Sequence, residues 1–248
     1  MTVISSSLSP KNGLVTDQDA YRDRVSNLAL DLPRDLVQRL RDEIIRTYRS
    51  GDSEEERRDI AHSTACPEMV ADCEREWGIG SQSKPLTQLL ALVADAMNQL
   101  FGSIDKERSY CPPQIAVRPS KDTVQYGPHV DGLIDGEKTE VPDVPFGIVG
   151  VYLDDVSKTK DGALVYWLEK AEAVREATAT HAGKALTEAL CSIGRTCDFS
   201  DPVARPVLGT AGHAYFVGGN VPHCNHSRSA DGKRVAIYFR MYAGSAAS

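Results

Sequence analysis

The chain has 248 residues, which is enough for one domain with a sizeable hydrophobic core. Hydrophobic residues make up 41% and charged residues 25%, the composition of an ordinary globular protein. The net charge of −7 argues against nucleic acid as a partner, because phosphate binding needs a basic surface. No apolar run approaches the roughly 20 residues that a membrane helix needs, so we expect no membrane partner.

Six cysteines are scattered along the chain without a Cys-x-x-Cys pair. Their spacing predicts neither a zinc ribbon nor a disulfide framework. In a chain of this length they indicate reduced thiols, and residues 1–14 do not resemble a signal peptide. We therefore expect the protein to be cytoplasmic.

Residues 1–110 are predicted to form a helical N-terminal part, although the polar segment 1–30 should be poorly ordered in part. A helix with Pro33 in its first turn is predicted, because apolar residues recur every four positions: Leu32, Leu36, Leu40, Ile44 and Tyr48. A second helix is predicted over 85–101, with one apolar stripe for packing: Leu86, Leu89, Leu90, Val93, Met97 and Leu100. We expect both helices to lie on the outside of a sheet.

After Tyr110 the pattern changes to short β-type segments separated by Gly, Pro and Asp. The predicted strands are 114–118, 123–130, 146–153, 163–168, 213–217 and 234–242. An Ala/Glu/Lys-rich stretch at about 169–192 interrupts them and is predicted to be a helical insertion. Short strands at this spacing favour a β-sandwich or barrel. We therefore predict one mainly β domain over 1–248, with its β core at 111–248 and flanking helices.

A His-x-Asp pair, His129 and Asp131, stands early in this β portion. Residues two apart on a strand point to the same face, so an imidazole nitrogen and a carboxylate oxygen can converge on one metal ion. Iron(II) in non-haem oxygenases typically takes two histidines and one carboxylate and keeps its remaining positions open. The pair alone is a weak signal, and a third ligand has to come from a distant strand.

The candidates for that third ligand are His213, His223 and His226, which lie in one segment near the C-terminus. Arg234 follows all three and begins the next predicted strand. Arginine suits a buried carboxylate, because it stays charged and offers two parallel donors. A diacid that chelates iron at one end could place its free carboxylate there. The residues alone leave the choice of histidine open.

Together these features resemble the iron(II)/2-oxoglutarate-dependent oxygenases, in particular their phytanoyl-CoA dioxygenase-like branch, over about residues 113–242. The His-x-Asp pair corresponds to that of the family. A Leu-Asp-Asp strand with a following Gly-small-Leu resembles 153–164, and the family's closing segment resembles 212–234. The usual separation of the distal histidine and the arginine in this branch is the one between His223 and Arg234, which favours His223 as the ligand.

The resemblance implies a double-stranded β-helix (jelly-roll, cupin-like) core with His129, Asp131 and His223 as the catalytic iron(II) ligands. 2-Oxoglutarate would chelate the iron and pair its far carboxylate with Arg234. O2 would then oxidise an unactivated C–H bond, most often by hydroxylation, with succinate and CO2 as co-products and ascorbate as reductant in vitro. Related halogenases carry Gly or Ala at the position of Asp131, so halogenation is not expected.

Two further residues, Thr123 and Gln125, share the predicted ligand strand with His129. On a regular strand they would point to the same face, where they could bind 2-oxoglutarate or simply line the barrel. We predict them as cofactor-binding residues. The substrate is expected to be a small polar molecule, such as an amino acid or a specialised metabolite.

Two other functions stay open at the level of sequence. A cupin-like metalloenzyme that does not use 2-oxoglutarate would share the barrel and the metal. A non-catalytic binding protein on the same barrel would retain no metal under reducing, anaerobic purification. No sequence pattern predicts the oligomeric state.

Overall fold

The computed structural model describes most of the β portion and parts of the N-terminal region. The described residues are 7–8, 19–47, 85–102, 104–105, 109, 113–118, 127–133, 138–229 and 231–244. Within them the chain forms two mainly antiparallel sheets together with α-helices. None of the helices in these ranges has the length and apolarity needed to cross a membrane.

The strands, in chain order, are β1 Ser7–Leu8, β2 Val25–Leu28, β3 Gln114–Arg118, β4 Gly147–Tyr152, β5 Leu164–Tyr166, β6 Arg205–Pro206, β7 Ala214–Gly218, β8 His223–Asn225 and β9 Arg234–Met241. The helices are α1 Arg34–Thr47, α2 Pro85–Phe101, α3 Ala171–Thr180 and α4 Gly183–Arg195. Short 3-10 turns cover Asp19–Tyr21 and Leu168–Lys170.

Two sheets carry these strands. The larger has the order β1-β2-β7-β4-β9-β3 and is antiparallel except for the β1–β2 pair, and the smaller, antiparallel sheet has the order β6-β5-β8. Their inner faces meet at Tyr152 of β4. Its hydroxyl donates to the Val207 carbonyl at 3.1 Å and accepts from the Leu164 amide at 2.9 Å. One buried phenol therefore ties the sheets together.

Helices α1 and α2 pack on the outer face of the larger sheet. Side chains alternate along β9, so that Ile237 and Phe239 join the core beneath the helices while Ala236 and Tyr238 belong to the inner cluster. The whole apolar stripe predicted for 85–101 is buried. The predictions of both helices and of their position outside the sheet are therefore confirmed.

Val25–Leu28, within segment 1–30, form a strand that was not predicted from the sequence, β2, which pairs with β7 in the larger sheet. This strand is short, and its pattern is intermediate, buried, exposed, buried. A polar stretch with so short an alternation carries no clear period. Its pairing depends on β7, which lies far along the chain.

Two other predictions need correction. The predicted strand at 123–130 reaches the described residues only from 127 onward, and there His129 alone makes a β-bridge, to His223. Pro128 cannot donate a ladder hydrogen bond, which limits regular pairing. The helical insertion at 169–192 is two helices, because the backbone is extended at His181 and Ala182.

Replacing Tyr152 by Phe should lower stability with little change in packing volume. The variant leaves the buried Leu164 amide without its acceptor, which typically costs about 1–3 kcal/mol. Urea denaturation followed by circular dichroism measures the change. Tyr166→Phe is the matched control, since the half-buried Tyr166 makes no side-chain hydrogen bond among the described residues. Equal unfolding free energies for the two variants would show that the phenol does not tie the sheets.

Candidate metal centre

His129 and His223 face each other across one antiparallel backbone pair. The His129 amide donates to the His223 carbonyl at 3.0 Å, and the His223 amide donates to the His129 carbonyl at 2.9 Å. Residues directly opposite in such a pair place their side chains on the same face. The two imidazole centroids accordingly lie 5.0 Å apart. This bridge adds the loop around His129 to the edge of the smaller sheet, beside β8.

Both imidazoles are oriented in the same way. Nδ1 of His129 lies 3.0 Å from the Gly127 carbonyl, and Nδ1 of His223 lies 3.0 Å from the Val221 carbonyl. A carbonyl oxygen can only accept a hydrogen bond, so Nδ1 carries the proton in each ring. Nε2 is then left as an acceptor, which is the form that binds a metal.

Asp131 completes a cluster with the two histidines. Its Oδ1 lies 3.7 Å from His129 Nε2, and one ligand atom from each of the three side chains lies within 4.8 Å of the others. One ion could contact all three. In the part of the chain that the structure describes, no other group of three His, Cys, Asp or Glu side chains is arranged in this way.

The loop that carries the candidate ligands His129 and Asp131 is packed against the helical insertion. Val130 points away from the cluster and is buried with Val174 of α3 and Leu190 of α4. A Cβ at Gly194 would lie only 2.5 Å from the Pro128 carbonyl oxygen, so α4 contacts the loop backbone directly. The insertion therefore holds the ligand loop in place.

A tight turn follows Asp131. Gly132 has a φ of +98°, and a Cβ there would lie 2.5 Å from the Asp143 carbonyl oxygen. Both observations call for glycine at this position. The turn allows the chain to leave the site directly after Asp131.

The electrostatics of the cluster favour the forms that bind metal. Burial alone would raise the pKa of Asp131, but attraction to Arg240, His223 and His129 lowers it below its usual value. Burial lowers the pKa of His223 to about 4, although Asp131 opposes that shift. At neutral pH the carboxylate is therefore charged and His223 is neutral, as a metal site requires.

A cavity of about 920 Å³ opens beside the cluster. Its lining includes all three clustered residues and several polar side chains from the inner face of the larger sheet: Gln114, Arg118, Tyr238 and Arg240. Residues of α4 and its C-terminus, Cys191 and Arg195, also line it. The cluster is thus open to a space large enough for small molecules.

Arg234 is fully buried behind this cavity. It donates to the Gly162 carbonyl, to Asn225 Oδ1 at 2.9 Å and to the Tyr238 hydroxyl at 3.3 Å. Asn225 and Tyr238 themselves line the cavity. Arg234 makes no ion pair with a described acidic side chain, and its Nε has no hydrogen-bond partner. A buried guanidinium that has an unpaired donor and no carboxylate partner can bind an anion.

Two other buried donors belong to the same region. Arg118 is buried and is the register partner of Arg234 across β3 and β9. Tyr215 is buried on the inner face of β7. The buried region around Arg234 therefore contains two further side chains that can donate hydrogen bonds.

The remaining predicted residues lie outside the cluster. His226 places Nδ1 2.8 Å from the Ser227 carbonyl oxygen and packs its ring on Phe199, and His213 stacks on Tyr215. Thr123 and Gln125 lie outside the described residues.

Tyr238 and Arg240 were not predicted from the sequence as residues of this site. Arg240 Nε lies 3.2 Å from Asp131 Oδ2. Tyr238 and Arg240 both lie on β9 at even spacings from Arg234, so period-two alternation could have found them.

Comparison with solved structures places this fold among known ones. HygX from Streptomyces hygroscopicus with iron bound is 15% identical, with a TM-score of 0.56 over 94% of this chain and 88% of HygX. HygX with nickel, 2-oxoglutarate and hygromycin B bound is 15% identical, with a TM-score of 0.52 over 94% of this chain and 88% of HygX. EctD from S. alaskensis with bound Fe is 15% identical, with a TM-score of 0.56 over 95% of this chain and 78% of EctD.

SnoK, a non-haem alpha-ketoglutarate-dependent carbocyclase from nogalamycin biosynthesis, is 14% identical, with a TM-score of 0.51 over 96% of this chain and 87% of SnoK. Identities this low establish a shared fold. The sequence matches no protein-family model and no curated protein.

Metal binding should distinguish His223 from its neighbour His226. His223→Ala removes one of the three clustered donors, whereas His226→Ala removes a ring that lies outside the cluster. We expect His223→Ala to weaken iron(II) affinity more than about 100-fold, beyond the usual effect of losing an outer-sphere partner. Anaerobic calorimetric titration with iron(II) measures both variants. Loss of binding in His226→Ala, with retention in His223→Ala, would contradict the assignment.

Proposed function

We propose that the protein is an iron(II)- and 2-oxoglutarate-dependent dioxygenase that hydroxylates an unactivated C–H bond of a small polar molecule, such as an amino acid or a specialised metabolite. The observation that carries this proposal is the pairing of two features around one cavity. His129, Asp131 and His223 line it, and Arg234 is buried behind the lining side chains of Asn225 and Tyr238, with no ion pair to a described acidic side chain.

The strand order supports a double-stranded β-helix as the fold. From β4 onward the chain moves between the two sheets, with β4, β7 and β9 in the larger and β5, β6 and β8 in the smaller. The bridge between His129 and His223 extends the smaller sheet by one more segment. Solved structures with the same fold include HygX and EctD with iron bound, and HygX with nickel and 2-oxoglutarate.

The donor set fits iron(II). Two imidazole nitrogens and one carboxylate oxygen on one side of an ion form the facial arrangement of non-haem iron oxygenases, which leaves other positions open. Bound there, iron(II) would supply the activation of O2, while 2-oxoglutarate would provide two electrons as it is cleaved to succinate and CO2. One oxygen atom would go to the substrate C–H bond and the other to succinate.

Arg234 would anchor the far carboxylate of 2-oxoglutarate. The guanidinium stays protonated and offers a planar set of donors that matches a carboxylate. The side chains of Arg118 and Tyr215 lie in the same buried region and could add hydrogen bonds to the same anion. Arg234 Nε is a buried donor with no described partner, a condition that costs about 1–3 kcal/mol and that a bound carboxylate would relieve.

The substrate would occupy the open side of the cavity. Its volume of about 920 Å³ lies in the range of small-molecule sites. Gln114 and Tyr242 line it and could orient a polar molecule, while Leu133 and Ile148 contribute apolar surface. These side chains would exclude water from the bond that is oxidised.

The general activity can be tested without the natural substrate. Purified protein with iron(II), ascorbate, O2 and 2-oxoglutarate should release succinate slowly, and more rapidly when a substrate from a panel of amino acids and polar metabolites is added. Anaerobic addition of 2-oxoglutarate to the iron(II) protein should produce a weak visible charge-transfer band. A protein that binds iron(II) without the band would instead favour a metalloenzyme that does not use 2-oxoglutarate. A protein that binds no iron(II) would favour a binding function.

Arg234→Ala should weaken 2-oxoglutarate binding about 10- to 100-fold, since a charged hydrogen bond contributes about 1.5–3 kcal/mol. Titration of the charge-transfer band under anaerobic conditions measures the dissociation constant. Arg234→Lys keeps the charge and should show a smaller loss, and circular dichroism checks that both variants fold. Arg39→Ala, on the exposed side of α1, is the control. Unchanged affinity in folded Arg234→Ala would exclude the anchor role.

A further inference from the structure

Arg240 lies next to the carboxylate of the metal cluster. It is on the inner face of β9, two residues beyond Tyr238, and its Nε lies 3.2 Å from Asp131 Oδ2. Its Nη2 lies 3.5 Å from Asp131 Oδ1 and 3.4 Å from Gln114 Oε1. The Asp131 side chain is 7% exposed and the Arg240 side chain 40% exposed. The arginine therefore covers the carboxylate and also faces the cavity.

The position of the Asp131 carboxylate depends strongly on this contact. Asp131 lies in a turn just after the single bridge at His129, so no regular strand pairing holds its backbone. Among the described residues, Arg240 is the one hydrogen-bond donor to its carboxylate. Gln114 on β3 accepts from the same guanidinium and so helps to hold it in place.

Both oxygens of the Asp131 carboxylate contact Arg240, but not equally. Oδ2 lies 3.2 Å from Arg240 Nε, whereas Oδ1 lies 3.5 Å from Arg240 Nη2 and 3.7 Å from His129 Nε2. We propose that Arg240 is a positioning residue that keeps Asp131 a ligand through one oxygen only, so that 2-oxoglutarate and O2 can both reach the metal. The inference rests on the proposed function of this site.

The number of positions around iron makes this restriction important. Two histidines and one carboxylate oxygen leave three of about six positions open. A 2-oxo acid that chelates through its keto acid end takes two of them, and the last is needed for O2. If Asp131 bound through both oxygens, the 2-oxo acid would fill the coordination sphere and exclude O2.

Without Arg240 the carboxylate has a strong reason to bind through both oxygens. Oδ2 would be a buried anionic oxygen with no hydrogen bond, which is an unfavourable state. A metal ion held by the cluster would be a positive group that could relieve it. Arg240 makes this second metal contact unnecessary, because its Nε pairs with Oδ2.

Nitric oxide is a suitable probe, because it occupies the position expected for O2 without starting turnover. Wild type and the variants Arg240→Met and Arg240→Lys are loaded anaerobically with iron(II) and 2-oxoglutarate, and then exposed to nitric oxide. The high-spin ferrous-nitrosyl EPR signal per bound iron reports the open position. Arg195→Met is the matched control, since it removes another arginine of the same cavity that makes no hydrogen bond to Asp131.

We expect Arg240→Met to retain iron(II) but to show a nitrosyl signal per bound iron about tenfold lower than that of wild type, in line with the loss of an outer-sphere partner. Arg240→Lys should restore most of the signal, because an ammonium group can still pair with Oδ2. Arg195→Met should match wild type. Addition of nitric oxide before 2-oxoglutarate should largely restore the signal of Arg240→Met, because two positions are then still open.

An unchanged nitrosyl signal in Arg240→Met would overturn the positioning role. Loss of iron itself from folded Arg240→Met would also overturn it, since Arg240 would then support metal affinity rather than the binding mode of Asp131. Failure of wild type to show the 2-oxoglutarate charge-transfer band would instead contradict the proposed function. The two failures are therefore distinguishable.

Discussion

Two backbone hydrogen bonds between His129 and His223 are the contact on which the site depends. They are 3.0 and 2.9 Å long, and they join residues from distant parts of the chain. Because they form one antiparallel pair, both imidazoles must project from the same face. The Nδ1 contacts to backbone carbonyls then direct both Nε2 atoms to one point. The direction of both imidazoles is thus set by main-chain geometry.

The helical insertion gives this short pairing the support that a regular strand would normally provide. Only one bridge holds the ligand loop to the smaller sheet, so sheet hydrogen bonding alone is a weak restraint. Val130 packs under α3 and α4, and Gly194 allows α4 to approach the Pro128 carbonyl. Side chains alternate along the loop, so His129 and Asp131 face the site while Val130 between them packs against the helices.

The distribution of charge inside the fold contrasts with that of the whole chain. The protein carries a net charge of −7, yet β9 places Arg234 and Arg240 on its inner face, and β3 adds Arg118. Arg240 pairs with Asp131, whereas Arg234 has hydroxyl, amide and carbonyl partners in place of a described carboxylate. In our proposal the first cation orients a metal ligand and the second binds the co-substrate. Strand alternation alone puts both on the same inner face.

Local sequence determined the helices and the types of candidate ligand, because periodicity and spacing are properties of neighbouring residues. The buried stripe of α2 and the His-x-Asp pair could be predicted in this way, and the resemblance to a known family favoured His223 as their partner. Tertiary structure alone brought His223 rather than His226 beside His129 and Asp131 and placed Arg240 against Asp131. It also added Val25–Leu28 to the larger sheet as β2. These features depend on which distant strands pair and in which register, and that is settled by long-range packing rather than by any local pattern.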